Sequence, residues 1–119
     1  MLYHIQYNIR GRFMHQKRLQ IIENQIGRIK VKLQTIGPMR PGSLTTQYKN
    51  PKDKIGPSFQ ISYTHRMKSR TEYVRPQFVA ETKKQIATYK RFRKLMETWI
   101  NLAIEHAKLT IEELKLGKT

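Results

Sequence analysis

Two stretches of helical periodicity flank a segment that can continue neither helix. The first stretch has apolar residues in a 3-4-3-4-3 spacing, which forms one narrow seam along a helix: Leu19, Ile22, Ile26, Ile29, Leu33 and Ile36. Gly37-Pro38 ends this helix, and Pro, Gly and short polar residues dominate as far as Pro57. Helical periodicity resumes at Val79 and persists to about Leu116. We therefore expect a helix at each end of the chain.

Alternating apolar and polar side chains predict three short strands between the helices. The candidates are Ser43–Tyr48, a stretch that begins at Phe59, and Ser69–Val74. In the second candidate Phe59, Ile61 and Tyr63 alternate with polar residues, which is typical of a strand with one buried face.

The loop between the second and third strands decides which of their residues face each other. A loop of Arg66-Met67-Lys68 places Ile61 opposite Tyr73 and gathers apolar side chains on one face. A two-residue loop would place Ile61 opposite Glu72 instead. We therefore expect the longer loop.

Together these elements predict an α+β fold with an N-terminal helix, a small three-stranded antiparallel sheet and a long C-terminal helix. A chain of 119 residues has room for one small domain, which we assign to residues 14–119. Residues 1–13 alternate only loosely and meet Gly11, so we expect a poorly ordered N-terminal arm there. Met14 is an alternative functional start.

The chain carries a large and uneven excess of positive charge. It has 24 Lys and Arg against 8 Asp and Glu, a formal net charge of +16. Residues 1–94 hold 21 of the basic and 4 of the acidic side chains, whereas residues 95–119 hold 3 and 4. Self-repulsion on this scale opposes compactness, and a polyanion relieves it. We expect nucleic acid on the first four-fifths of the chain, and a homodimer or a docked partner protein on the near-neutral end of the second helix.

The cations expected to bind nucleic acid lie in the loops, in the hairpin and on the second helix. Five of them share one third of that helix's circumference at about 100° per residue, opposite its apolar arc. In chain order the candidates are Arg40, Lys49, Lys52, Lys54, Arg66, Lys68, Arg70, Lys83, Lys84, Lys90, Arg91 and Lys94. Four strand aromatics, Tyr48, Phe59, Tyr63 and Tyr73, are able to stack on bases, although their spacing favours core packing.

A series of short motifs runs through the middle of the chain. Met39-Arg40-Pro41-Gly42-Ser43-Leu44 is followed by Gln47-Tyr48, by Gly56-Pro57 before an aromatic strand, by Lys68–Val74, and by a helix with Tyr89 and Phe92. This pattern resembles a small, uncharacterised prokaryotic family of short basic proteins that are often encoded near mobile elements. The resemblance implies a helix, three short strands and a long helix, but no activity. Family members usually bear cysteines where this chain has Lys49–Ile55, so a metal-stabilised loop is not expected.

Composition argues against metal, cofactor and membrane functions. Cysteine is absent, which excludes disulfides and thiolate chemistry. The four carboxylates of the basic portion, Glu23, Asp53, Glu72 and Glu81, are widely separated, and no zinc-ligand spacing or Gly-rich phosphate loop occurs. We expect no metal and no cofactor. Because no apolar run approaches the roughly 18 residues of a membrane span, we expect a cytoplasmic protein without a membrane partner.

The function favoured by these observations is that of a non-catalytic nucleic-acid-binding accessory protein. We expect it to recognise the phosphate backbone and shape of its ligand, with RNA favoured over DNA, and to belong to a ribonucleoprotein or mobile-element complex. Two alternatives stay open. One is a metal-free endoribonuclease of the small basic toxin type, with His65, Arg66, Lys68, Arg70 and Tyr73 as its active residues. The other is a protein–protein adaptor whose helices, including a short coiled coil, assemble a larger complex.

Overall fold

The computed structural model describes the backbone of residues 2–117 and the side chains of residues 11–117. Helix α1 spans Leu2–Gln34, and helix α2 spans Val79–Gly117 after a short 3-10 turn at Pro76–Phe78. Between the helices lie strands β1 (Ser43–Asn50), β2 (Ile55–His65) and β3 (Lys68–Val74). The strands form one antiparallel sheet in the order β1-β2-β3. The predicted α+β fold is confirmed.

The first helix begins earlier than its apolar seam indicates. Positions 2–13, for which we expected an N-terminal arm, belong to α1. Near this end Arg12 Nε donates to Glu113 Oε1 on α2 at 2.7 Å, and Gln16 Nε2 donates to the same oxygen at 2.9 Å. Polar contacts with a distant segment therefore support residues 12–16, which precede the apolar seam. The helix begins at Leu2 and not near Met14 as the sequence predicted.

Contacts along the chain group into two compact units, where we had expected one domain over residues 14–119. One unit combines Met1–Thr35 with Lys94–Thr119, and its described residues lie almost entirely in α1 and α2. The other, Ile36–Arg93, contains the sheet and the first part of α2. We call them the helical unit and the sheet unit.

The helical unit packs along the predicted seam. Ile22 and Ile29 are buried, and the other seam residues of α1 are half-buried. Ion pairs run alongside: Arg18 forms two hydrogen bonds to Glu105, at 3.1 and 2.7 Å. The acidic side chains at the end of α2 thus neutralise cations of α1.

No helix in the described part of the chain is long and apolar enough to cross a membrane.

The sheet unit has a small core on one face of its sheet. Ile61 of β2 and Val74 of β3 are buried against Ile86 of α2, with Leu44, Phe59 and Val79 packed around them. A backbone hydrogen bond from the Arg40 amide to the Gln85 carbonyl, 3.2 Å, ties the segment before β1 to α2. The first turns of α2 therefore cover the face that carries Ile61.

The hairpin between β2 and β3 has the register that we did not expect. His65 pairs with Lys68 and Ile61 pairs with Glu72, so the turn contains only Arg66 and Met67. Both turn residues have positive φ, 51° and 63°, as a two-residue hairpin turn of this type requires in order to match the strand twist. The predicted three-residue loop is wrong because Glu72, next to Ile61, finds polar partners outside the apolar core.

Candidate nucleic-acid interface

The sheet unit concentrates unneutralised positive charge. Residues 36–93 contain 13 Lys and Arg but only 3 Asp and Glu. Each of the three carboxylates has a local partner: Asp53 accepts from Asn50, Glu81 from Gln85, and Glu72 from Arg40 and Tyr63. Arg40 is the one cation among these 13, in the described structure, that forms an ion pair with a carboxylate. The other twelve are solvent-exposed.

Arg40 belongs to a polar cluster beside the core. Its Nη2 donates to Glu72 Oε2 at 3.2 Å, and its guanidinium lies 5.1 Å from the centre of the Tyr63 ring. The Tyr63 hydroxyl donates to the other Glu72 oxygen at 2.7 Å. Arg40, which the sequence predicted to bind nucleic acid, therefore contacts the sheet, and its charge is paired with that of Glu72.

Within this cluster, the pKa values of Glu72 and Tyr63 move away from neutrality. The hydrogen bond from Tyr63, followed by that from Arg40, lowers the pKa of Glu72. The same hydrogen bond to Glu72 raises the pKa of Tyr63. A general acid or base works best when its pKa lies near the working pH, so both shifts make these two groups less suited to proton transfer.

The β2–β3 hairpin presents a group of exposed cations at one end of the sheet. Arg66 lies in the turn, and Lys68 and Arg70 follow on β3. His65 and Tyr63, the partners of these two β3 residues, share their sheet face. Tyr73 lies on the opposite face because side chains alternate along a strand. The residues considered for ribonuclease chemistry are thus divided between two faces.

The end of β1 and the β1–β2 connection carry three cations at the other end of the sheet: Lys49 on the strand, and Lys52 and Lys54 in the connection. Asn50 Nδ2 donates to Asp53 Oδ2 at 3.0 Å within this turn, and Lys54 has a positive φ of 53°. Because β2 runs from Ile55 to His65, about 33 Å of strand separates the two turns. The loop cations and the hairpin cations therefore form two separate groups.

The third group lies on the exposed side of α2. Lys83, Lys84, Lys90 and Arg91 are exposed within the sheet unit, and Lys94, also exposed, is the first α2 residue assigned to the helical unit. Arg91 Nη2 also reaches the Ile36 carbonyl oxygen at 3.5 Å. Lys94 lies four residues from Lys90 and three from Arg91, so these three cations are neighbours on the helix. Lys83 and Lys84 lie about two turns earlier along the same side.

Two exposed arginines of the sheet unit were missed in the sequence. Arg75 follows β3 in extended backbone, and Arg93 lies on α2. Arg93 falls within the apolar arc of the helix, so the cationic face predicted for this helix does not include it. Arg75 stands alone between a strand and a proline, where no periodicity points to it.

No group of three His, Asp or Glu side chains in the described residues is placed to hold a metal ion. Comparison of the chain with protein-family models, with curated proteins and with solved structures finds no match.

Proposed function

We propose that this chain is a non-catalytic nucleic-acid-binding accessory protein that holds the phosphate backbone of its ligand with the cations of the sheet unit. The observation that carries the proposal is the charge balance of residues 36–93: of 13 cations, twelve are exposed and have no carboxylate in ion-pair contact within the described part of the chain. Clustered cations of this kind neutralise phosphates and release counterions, which drives association.

The favoured ligand is a structured RNA, with DNA as the second choice. Lysines make up much of the exposed charge, and they contact phosphates as point charges without reading bases. Backbone and shape recognition fits an accessory component of a ribonucleoprotein or mobile-element complex. A nucleic-acid ligand also fits the cytoplasmic location expected from the sequence.

The proposal is tested by measuring affinity for a structured RNA and a DNA duplex over a range of salt concentrations. If about six phosphates are contacted, the logarithm of the association constant falls against the logarithm of salt concentration with a slope near −5 for a duplex. An affinity that does not change with salt would contradict the proposal.

A matched pair of variants on one helix locates the contact surface. Lys83→Gln with Lys90→Gln removes two charges from the cationic row, whereas Lys108→Gln with Lys115→Gln removes two from the near-neutral end of α2. We expect the first pair to reduce the salt slope by about one for each lost phosphate contact. The second pair should bind like the wild type. Equal effects of the two pairs would mean that net charge, and not this surface, determines binding.

The ribonuclease alternative is tested in the same samples. The wild-type protein should leave RNA uncleaved, and His65→Ala should then cause no difference in a cleavage assay. Sequence-selective cleavage by the wild type that is lost in His65→Ala would replace the binding function with catalysis.

The helical unit supplies the surface for assembly in this proposal. Helix α2 also carries a row of exposed apolar residues with 4-3-4-3 spacing. We call it the outer row: Ile100, Ile104, Ala107, Ile111 and Leu114. Beside it lies a groove of about 320 Å³ lined by Gly27, Lys30 and Trp99 together with Ala103. Ala103 is one helical turn from Ile100 and Ala107, so the groove continues the interface between α1 and α2 out to the outer row.

A second copy of the chain is the occupant that we propose for this surface. In this proposal each copy places its row of exposed apolar side chains in the other copy's groove, which Gly27 and Ala103 help to line, as a two-fold symmetric interface requires. Charge favours the outer row as the contact, because residues 95–119 are close to neutral, whereas residues 1–94 carry a large excess of positive charge that opposes association. In the groove itself, Lys30 is accompanied by Glu23. Such a homodimer uses residues of the helical unit, whereas the proposed phosphate contacts use cations of the sheet unit. Docking of a different partner protein, as in the adaptor alternative, is the other outcome of the test described below.

A further inference from the structure

The second face of the sheet is open and differs in chemistry from the first. Side chains alternate along strands, so the face opposite Ile61 carries the odd-numbered residues of β1 and β3 and the even-numbered residues of β2. Apart from the glycine, lysine and tyrosine considered below, its members are hydroxyl and amide side chains: Ser43, Thr45, Gln47, Ser58, Gln60, Ser62, Thr64, Ser69 and Thr71. We call this surface the polar face.

The hydroxyls of the polar face are arranged in cross-strand pairs. Ser62 Oγ lies 3.1 Å from Thr71 Oγ1, and Thr64 Oγ1 lies 3.4 Å from Ser69 Oγ. These four side chains are exposed, and each hydroxyl keeps capacity for a further hydrogen bond. The face thus presents a row of donors and acceptors that is available to a ligand.

One aromatic ring stands among these polar groups. Tyr73, opposite Gln60 in the ladder, is 62% exposed. The three other strand aromatics, Tyr48, Phe59 and Tyr63, are half-buried. Phe59 packs on the core, and Tyr63 contacts Arg40 and Glu72. Tyr73 is therefore the strand aromatic with a ring exposed on the polar face.

Charge around the polar face favours an anionic ligand. Lys49 of β1 lies on it by the same alternation, beside Gly56 of β2, and Arg75 follows two residues after Tyr73. None of the three carboxylates of the sheet unit lies there, since Asp53 is in a turn, Glu72 is on the other face and Glu81 is on α2. Aromatic rings flanked by cations, with hydroxyls and amides between them, bind unpaired nucleotides by stacking and hydrogen bonding.

We propose that the polar face binds an unpaired nucleotide segment, with the ring of Tyr73 stacked on a base and with Lys49 and Arg75 near the phosphates. This inference rests on the proposed function and narrows its ligand to a nucleic acid with a single-stranded part. The cationic row of α2 can contact the phosphates of a duplex as well as those of a single strand. Stacking on Tyr73 requires a base that is free of its partner strand.

The test compares a single-stranded oligouridine with an RNA duplex of the same length, using fluorescence anisotropy and the full-length chain. Tyr73→Thr removes the ring but keeps a polar β-branched residue like its neighbours, and Tyr73→Phe keeps the ring. Phe78→Thr is the control, because Phe78 is another exposed aromatic of the sheet unit, 54% exposed, outside the strands. Circular dichroism verifies that each variant is folded.

We expect Tyr73→Thr to weaken binding of the single strand by about tenfold or more, and to leave duplex binding within about twofold. Tyr73→Phe and Phe78→Thr should bind like the wild type. If Tyr73→Thr binds the single strand as tightly as the wild type, the stacking site is refuted while backbone binding stands. If the wild type binds neither nucleic acid, the proposed function itself fails.

Discussion

Gly42 occupies a position where the backbone and the core both exclude a side chain. Its φ is +146°, and a Cβ at this position would lie 2.7 Å from Ile61 Cγ1 and 2.9 Å from Ile61 Cδ1. Ile61 is fully buried, so it has no room to move away. The glycine before β1 is therefore required by packing, which no local feature of the sequence reveals.

We predict that Gly42→Ala lowers the free energy of unfolding by about 1–3 kcal/mol, because it overpacks the core and strains the backbone. Gly37→Ala is the matched control: Gly37 also has a positive φ, +82°, but open space around it, so only the backbone cost of about 1 kcal/mol applies. Chemical denaturation of both variants measures the difference. Equal losses would show that Ile61 tolerates the added methyl group.

The contact between Glu72, Tyr63 and Arg40 predicts a dependence of stability on pH. Hydrogen bonds from Tyr63 and Arg40 lower the pKa of Glu72 in the folded chain, so the ionised carboxylate stabilises the fold above the ordinary glutamate pKa. This contribution is lost as the pH falls through the lowered pKa. We expect Glu72→Gln to reduce the thermal midpoint at neutral pH and to have a smaller effect in acid.

The control for this prediction is Glu97→Gln, which removes an exposed carboxylate of the helical unit. Thermal unfolding of both variants and the wild type across the acid range provides the comparison. A Glu72→Gln deficit that is the same at neutral and acidic pH would contradict an electrostatic origin.

Among the elements, the β2–β3 hairpin departs most from expectation, and its turn is strained. Arg66 and Met67 both adopt positive φ, which costs roughly 1–2 kcal/mol for a residue with a side chain and little for Asn or Gly. The sequence lacks the Asn-Gly signal by which such a turn is recognised. Because Arg66 and Met67 have low propensity for such a turn, the sequence did not indicate a two-residue connection.

We predict that replacing Arg66 by Asn and Met67 by Gly raises the free energy of unfolding by about 1 kcal/mol, because both new residues accept the left-handed conformation. Replacing Arg66 by Gln and Met67 by Leu is the control, since it removes the same charge without changing the backbone preference. Denaturant unfolding compares the two variants. A gain in both would assign the effect to charge and not to the turn.

At the scale of the whole molecule, charge is distributed by pairing between distant segments. Carboxylates near the end of α2 pair with α1, as in the contacts of Arg12 with Glu113 and of Arg18 with Glu105. The hydrogen bonds from these arginines lower the pKa of both carboxyl groups. The helical unit thus neutralises part of its own charge, while the sheet unit keeps its excess of positive charge.

We predict that the nucleic-acid-free protein is a homodimer through the outer row and the groove beside it. Ile104→Glu places a charge in the middle of this surface in both copies and should yield a monomer, because an unpaired carboxylate is costly to bury. Ile55→Glu is the control: it makes the same change at a residue that is 60% exposed, compared with 50% for Ile104, but in the sheet unit. Light scattering over a concentration series measures the mass.

A monomeric wild type would overturn the homodimer and leave the outer row for a different partner protein. A dimer that survives Ile104→Glu would place the interface elsewhere. Since Ile104 is already half-exposed, the variant should keep its helical circular dichroism, so a loss of mass is not attributable to unfolding.

Local features of the sequence were sufficient to predict the order of helices and strands and the class of partner to test for. The seam from Leu19 to Ile36, the break at Gly37-Pro38 and the resumption at Val79 each depend on neighbouring residues only. The excess of 24 basic over 8 acidic residues is likewise a property of composition. Neither kind of information depends on which distant segments meet.

Tertiary structure alone decided the features that define the candidate site. The pairing of Ile61 with Glu72 set which side chains share a sheet face, because a shift of one residue reverses every side chain of a strand. It left Tyr73 exposed on the polar face and brought Arg40 to Glu72. Which cations stay free depends on where the few carboxylates are placed, and that placement follows from contacts between residues far apart in the chain.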